Sequence, residues 1–165
     1  MNDSPSILDH RIGDPEQRDS VRLWLRLLAC TRTIEKQVRR RFADRYDITL
    51  PRFDIMAALD RHPEGMTMGQ LSQALLVSNG NVTGVVQALV RDGYVGVAPS
   101  PTDGRSSIVR LTEQGRQCFD GLAEAHQDWI DAMLGGLERD QQGALLELLG
   151  TLKDSLAAQI GKEEA

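Results

Sequence analysis

The sequence predicts a mainly α fold with a small β-hairpin, arranged as a winged helix-turn-helix. Three observations predict it. Between Thr67 and Thr112, two apolar patterns of helical period are joined by a short turn. The chain then alternates as a hairpin, with Val95 and Val97 leading out and Ile108, Val109 and Leu111 returning around a Pro-Ser-Pro-Thr-Asp-Gly tip. On either side, long helical patterns cover residues 14–46 and 112–160.

Taken in order, residues up to about Gly13 read as a tail. Asp14-Pro15 opens a helix with proline in its first turn. It runs to about Tyr46, with Val21, Trp24, Leu25, Leu28, Ile34, Val38 and Phe42 at helical spacing. Trp24 is expected in the core, with a second role in lining a pocket. The Arg39-Arg40-Arg41 run reads as a solvated face able to meet phosphates. A turn at Asp47-Ile48-Thr49 leads to a short helix whose buried side is Phe53, Met56, Ala57 and Leu59, stopped by Pro63 and Glu64-Gly65. Thr67 and Gln70 have the spacing of a capping box, in which each side chain satisfies a free backbone N–H. Leu71, Ala74 and Leu75 share a face of that helix. Val77 and Ser78 close the turn, and Ser78 is a favourable N-cap for the next helix.

The helix after Ser78 carries the functional signal. Val82, Val85, Val86, Leu89 and Val90 cluster on one side, and Gly80, Thr83, Gly84, Gln87 and Arg91 on the other. Each glycine costs about 1 kcal/mol of helix stability against alanine, but lets a partner approach the backbone closely. Asn79, Asn81 and Gln87 are residue types that pair with adenine edges, and a threonine methyl meets thymine. An ordinary amphipathic helix with a solvated face is the plain alternative for this element alone. The hairpin tip favours DNA: Asp103-Gly104 is a turn signal, Arg105 suits a narrow minor groove, and Asp103 can hold its guanidinium. Beyond the hairpin, Thr112 caps a helix with Phe119, Leu122, His126, Trp129 and Met133 along a seam. Gly135-Gly136 breaks it. A last helix repeats Leu145, Leu149, Leu152, Leu156 and Ile160, a stripe that calls for a second subunit. Residues 161–165 are expected to fray.

The ordered set S-N-G-N-V-T, R-D-G-Y-V, D-G-R-S-S and L-T-E-Q-G resembles the MarR family of bacterial transcription regulators. The resemblance implies a dimeric winged-helix protein that binds palindromic double-stranded DNA, often as a repressor released by a small ligand. It implies a recognition helix over Ser78 to Gln87 and a signature wing pair, Asp103 and Arg105. Thr67 and Arg91 complete the expected DNA-contacting set. Two positions depart from the family pattern, Val97 and Gly104 standing where basic residues are usual. Both remove backbone contacts and imply modest nonspecific affinity.

Composition sets the bounds. A chain of 165 residues reads as one domain over 1–165, with a DNA-binding part over 49–111 and dimerisation helices over 14–46 and 112–160. The net charge of −5 hides an asymmetry: arginines crowd the first third and carboxylates the last, which is expected to face away from DNA. No apolar run reaches a membrane span and no signal peptide is visible, so the cytoplasm is expected. No phosphate loop, G-x-S-x-G, H-E-x-x-H or C-x-x-C motif occurs, so neither an enzyme nor a cofactor is expected. Cys30 and Cys118 fit no metal spacing and are expected to be small core hydrophobes. In the sharper alternative, Cys30 beside Arg26 and Arg32 is a redox switch. A second alternative uses the winged helix only to bind other proteins. An anionic effector, an aromatic acid or an acyl-coenzyme A, is expected near Trp24, Leu28, Arg52, Phe53 and Met56, where the first, second and fifth helices would meet.

Overall fold

A computed structural model describes residues 15–100 and 106–163. Six helices and a three-stranded sheet account for most of them. They are α1 (Pro15–Tyr46), α2 (Leu50–Asp60), β1 (Met66–Thr67), α3 (Met68–Leu75), α4 (Asn79–Arg91), β2 (Val95–Pro99), β3 (Ser107–Leu111), α5 (Glu113–Leu134) and α6 (Arg139–Glu163). The chain divides into two compact units, Met1–Glu124 and Ala125–Ala165.

The first unit holds the helix-turn-helix and its sheet. Leu71 of α3 and Val82, Val86 and Leu89 of α4 are fully buried, as are Ile55, Met56 and Leu59 of α2. These three helices pack on one another. The ring of Phe53 links α1 to α5, its centroid 4.7 Å from that of Phe42 and 5.6 Å from that of Phe119. On α2, Ile55 and Ala58 join the buried set, whereas Ala57 is only half-buried. The helix is short and enclosed from several directions, so its buried side is wider than one stripe. On α4, Val90 is 42% exposed rather than buried with its neighbours. The helix ends one residue later, at Arg91.

The hairpin pairs antiparallel in the register Val95↔Leu111, Val97↔Val109 and Pro99↔Ser107. A third strand, β1, joins through Met66↔Val109, giving the order β1-β3-β2. Two residues are too few to show a period, which is why the sequence gives no sign of it. Gly65 makes this pairing possible. Its φ is +89°, and a Cβ there would lie 2.5 Å from side-chain carbons of both Arg110 and Ile108. The Arg110 Nε–H also donates to the Glu64 carbonyl at 2.6 Å, fixing the turn to β3. The tip residues 101–105, with Asp103, Gly104 and Arg105, lie outside the described residues.

Two expectations for α1 are corrected. Trp24 is 58% exposed, not in the core, with Val21 and Leu23 exposed beside it. Cys30 is exposed as well. Burial on α1 begins late, with Val38 and Phe42, because only that part meets α2. Cys118 on α5 is half-buried. In the second unit, α6 is exposed wherever its side chains are described, including Leu145, Leu146, Leu148, Leu149, Leu152 and Leu156. His126 is half-buried, and burial holds its imidazole below the usual histidine range.

Candidate nucleic-acid interface

The capping box at the start of α3 is fully formed. The Gln70 N–H donates to Thr67 Oγ1 at 3.2 Å, and the Thr67 N–H donates to Gln70 Oε1 at 2.8 Å. The Thr67 side chain is therefore occupied in holding its own helix. At the turn, Val77 N–H donates to the Ser72 carbonyl at 3.1 Å, and the Ser72 hydroxyl donates back to the Val77 carbonyl at 2.5 Å. Ser78 is the N-cap of α4, as its residue type suggests, but its side chain makes no capping hydrogen bond. The leading end of α4 thus keeps free N–H groups, and with them the partial positive charge of a helix start.

The outer face of α4 is bare. Asn79, Gly80, Asn81, Gly84, Gln87 and Arg91 are all exposed. A Cβ at Gly80 or Gly84 would meet nothing within 4 Å. Packing inside the chain therefore does not require glycine at either position. Thr83 is half-buried and its hydroxyl donates to the Asn79 carbonyl at 2.9 Å. Arg91 is 76% exposed and lies 3.9 Å from Asp92. Arg110, which no sequence motif marks, brings a cation to β3. From Thr67 to Thr112 the chain holds three arginines and two aspartates, so this face is only weakly basic. Val97 is 45% exposed on β2, an apolar group on the open side of the wing.

A second feature lies behind the reader, within the first unit. A cavity of about 300 Å³ is lined by Tyr46, Ile48, Arg52, Asp92, Tyr94 and Cys118, among others. Of the five residues expected to form a ligand site, only Arg52 lines it. Phe53 and Met56 are buried in the core, Leu28 is half-buried and Trp24 is exposed. At a rise of about 1.5 Å per residue, Trp24 lies about 33 Å along α1 from Tyr46, too far for one pocket to hold both. Arg52 forms an ion pair with Asp92, the C-cap of α4, and so ties α2 to the end of the reader helix. Among the described residues, Arg52 Nε is the buried side-chain donor that finds no hydrogen-bond partner. Tyr94 sits against Cys118, whose nearness, followed by burial, holds the phenol above its usual range while Arg52 opposes the shift. Asp92 and Tyr94 belong to the R-D-G-Y run, the one sequence signal that pointed to this place.

The comparisons with known proteins agree with this geometry. The profile of the MarR family matches residues 46–106. A transcriptional activatory protein, BadR of Rhodopseudomonas palustris, is 34% identical over 68% of this chain. A transcriptional repressor, IacR of Pseudomonas putida, is 28% identical over 66%. The chain spans 65% of the length of each. Among solved structures, a MarR family transcriptional regulator from Silicibacter pomeroyi superposes with a TM-score of 0.74 at 30% identity, covering 87% of this chain and 99% of its own. A helix-turn-helix with a three-stranded wing, shared with a relative over nearly that relative's whole length, places the chain in the MarR family of transcriptional regulators.

Proposed function

We propose that the chain is a transcription regulator that binds palindromic double-stranded DNA as a homodimer, and that a small anionic molecule releases it. The carrying observation is the outer face of α4. It combines unpacked glycines at positions 80 and 84 with exposed Asn79, Asn81 and Gln87 and a helix start free of side-chain capping. Close backbone approach, amide side chains and a positive helix end are what base edges and phosphates require of a probe. In this reading residues 49–111 contact DNA. Ser78, Asn79, Gly80, Asn81, Thr83, Gly84 and Gln87 enter the major groove, Arg91 meets backbone, and Arg105 held by Asp103 enters the minor groove. Thr67 acts by holding α3 in place. The helices over 14–46 and 112–160 join two subunits. The leucine stripe of α6, exposed along its described length, supports that part.

The cavity behind the reader supports the effector. Its volume is near the lower end for small-molecule sites. Arg52 offers an unpartnered donor there, suited to a carboxylate. A ligand that draws Arg52 from Asp92 loosens the tie between α2 and the end of α4. It shifts DNA occupancy only as far as it binds the two arrangements unequally.

Mobility shifts against the DNA upstream of the chain's own gene test the DNA half. Arg105→Ala is expected to weaken binding by about 1–3 kcal/mol without unfolding the protein. Gln87→Ala is expected to flatten discrimination between base substitutions more than total affinity. Unchanged affinity and unchanged discrimination would remove both residues from the interface. Calorimetry with aromatic carboxylic acids and their coenzyme A thioesters tests the effector half. Heat is expected from at least one, and none across the panel discards it.

A further inference from the structure

The turn before α4 closes α3 with a left-handed residue whose N–H caps the Ser72 and Gln73 carbonyls, but the residue is a leucine where packing gives no reason for one. Leu76, the C-cap of α3, has φ 54° and ψ 39°, a left-handed backbone that glycine adopts freely and leucine only at a cost. Its side chain gains nothing in return, being 92% exposed. Val77 beside it is 43% exposed. The turn is nonetheless held firmly, through the paired hydrogen bonds between Ser72 and Val77. An apolar group is thus fixed in solvent, two residues ahead of the exposed Ser78–Asn79 start of α4. A strained backbone that presents an exposed apolar side chain is a reason to look for a partner.

We propose that Leu76 is a DNA-contacting residue. It packs, with Val77, on the aliphatic surface at the groove edge, either a thymine methyl or deoxyribose carbons, as α4 enters. The inference rests on the reading of α4 as the DNA probe and adds an apolar contact to its polar ones. It also offsets the scarcity of cations on this face: removing apolar surface from water contributes affinity that does not depend on salt.

The test uses the full-length protein and a duplex that the wild type selects from a random pool. Leu76→Gly is expected to raise the melting temperature, because the left-handed strain is relieved, and to weaken binding about tenfold. Leu76→Asn tolerates the same backbone without an apolar group and is expected to lose affinity likewise, whereas Leu76→Met is expected to keep it. Replacing thymine by uracil in the duplex identifies the surface. A loss seen in wild type and absent in Leu76→Asn assigns a thymine methyl, and no loss in either assigns deoxyribose. If the wild type selects no duplex, the DNA reading itself fails, and this inference with it. If the wild type binds and Leu76→Gly and Leu76→Asn bind equally well, only the inference is overturned.

Discussion

Helices α4 and α6 show nearly the same sequence signal and opposite outcomes. Both carry an apolar stripe at helical spacing. On α4 most of the stripe is covered within the chain, Val82, Val86 and Leu89 being at most 1% exposed and only the terminal Val90 open at 42%. On α6, Leu145, Leu149, Leu152 and Leu156 remain between 37% and 48% exposed. Periodicity says that a face will be covered, not by what. The difference separates a face covered within one polypeptide from a face left exposed.

The largest expected effect breaks the α6 side of the contrast. Leu149→Lys combined with Leu152→Lys is expected to weaken subunit association by about 1000-fold, about 4 kcal/mol, while the melting of the helix-turn-helix changes little. Sedimentation equilibrium and thermal scans check the two halves. A double variant that stays dimeric would place the association surface elsewhere.

A glycine pair extends the contrast to the packed start of α5 against exposed α6. At Gly115, in the first turn of α5, a Cβ would lie 2.0 Å from the Tyr94 carbonyl oxygen. That turn is held by Thr112, whose side chain accepts from the Gly115 N–H and donates to the Gly93 carbonyl. Gly115→Ala is expected to cost about 3 kcal/mol, since neither backbone can yield. Gly150 lies on the side of α6 away from the leucine stripe, with nothing within 4 Å. Gly150→Ala is expected to stabilise by about 1 kcal/mol. Urea titrations with the same sign for both would show that packing does not distinguish the regions.

The smallest effect concerns pH. Asp54 lies half-buried on α2, and burial lifts its carboxyl from 3.8 to about 6, with Arg39 opposing and Glu35 adding to the shift. The folded chain therefore holds this proton more tightly than the unfolded one. The stability it supplies is complete below pH 3.8 and is lost as pH rises through about 6. Asp54→Asn is expected to flatten that decline in denaturation midpoints between about pH 4 and 7. An unchanged slope would assign the decline to other groups.

Much of the fold was legible because it obeys local rules. The capping box of Thr67 and Gln70, the N-cap at Ser78, the paired strands on either side of the Asp103-Gly104 signal and the break at Gly135-Gly136 each depend on a few neighbouring residues. What escaped depends on distant partners. β1 exists only because β3 lies beside it. The half-buried Asp54 is set by packing between α1 and α2, and nothing in P-R-F-D-I announces it. The polar face of α4 could be read as a face, but that Gly80 and Gly84 are unpacked required the structure. The expected ligand grouping kept Arg52 and scattered Trp24 and Leu28, because helical periodicity gives direction around an axis and ignores distance along it. The strain at Leu76 was invisible, since a leucine ahead of Val-Ser reads as one more apolar residue.

Hydroxyl-radical footprinting on the duplex selected by the wild type tests the central claim most directly. Two related chains presenting α4 to one palindrome are expected to protect two symmetrical segments whose centres lie about 34 Å apart, one helical turn. The Leu149→Lys, Leu152→Lys protein is expected to lose both together. A single unsymmetrical footprint, or protection that survives in the double variant, would contradict the account.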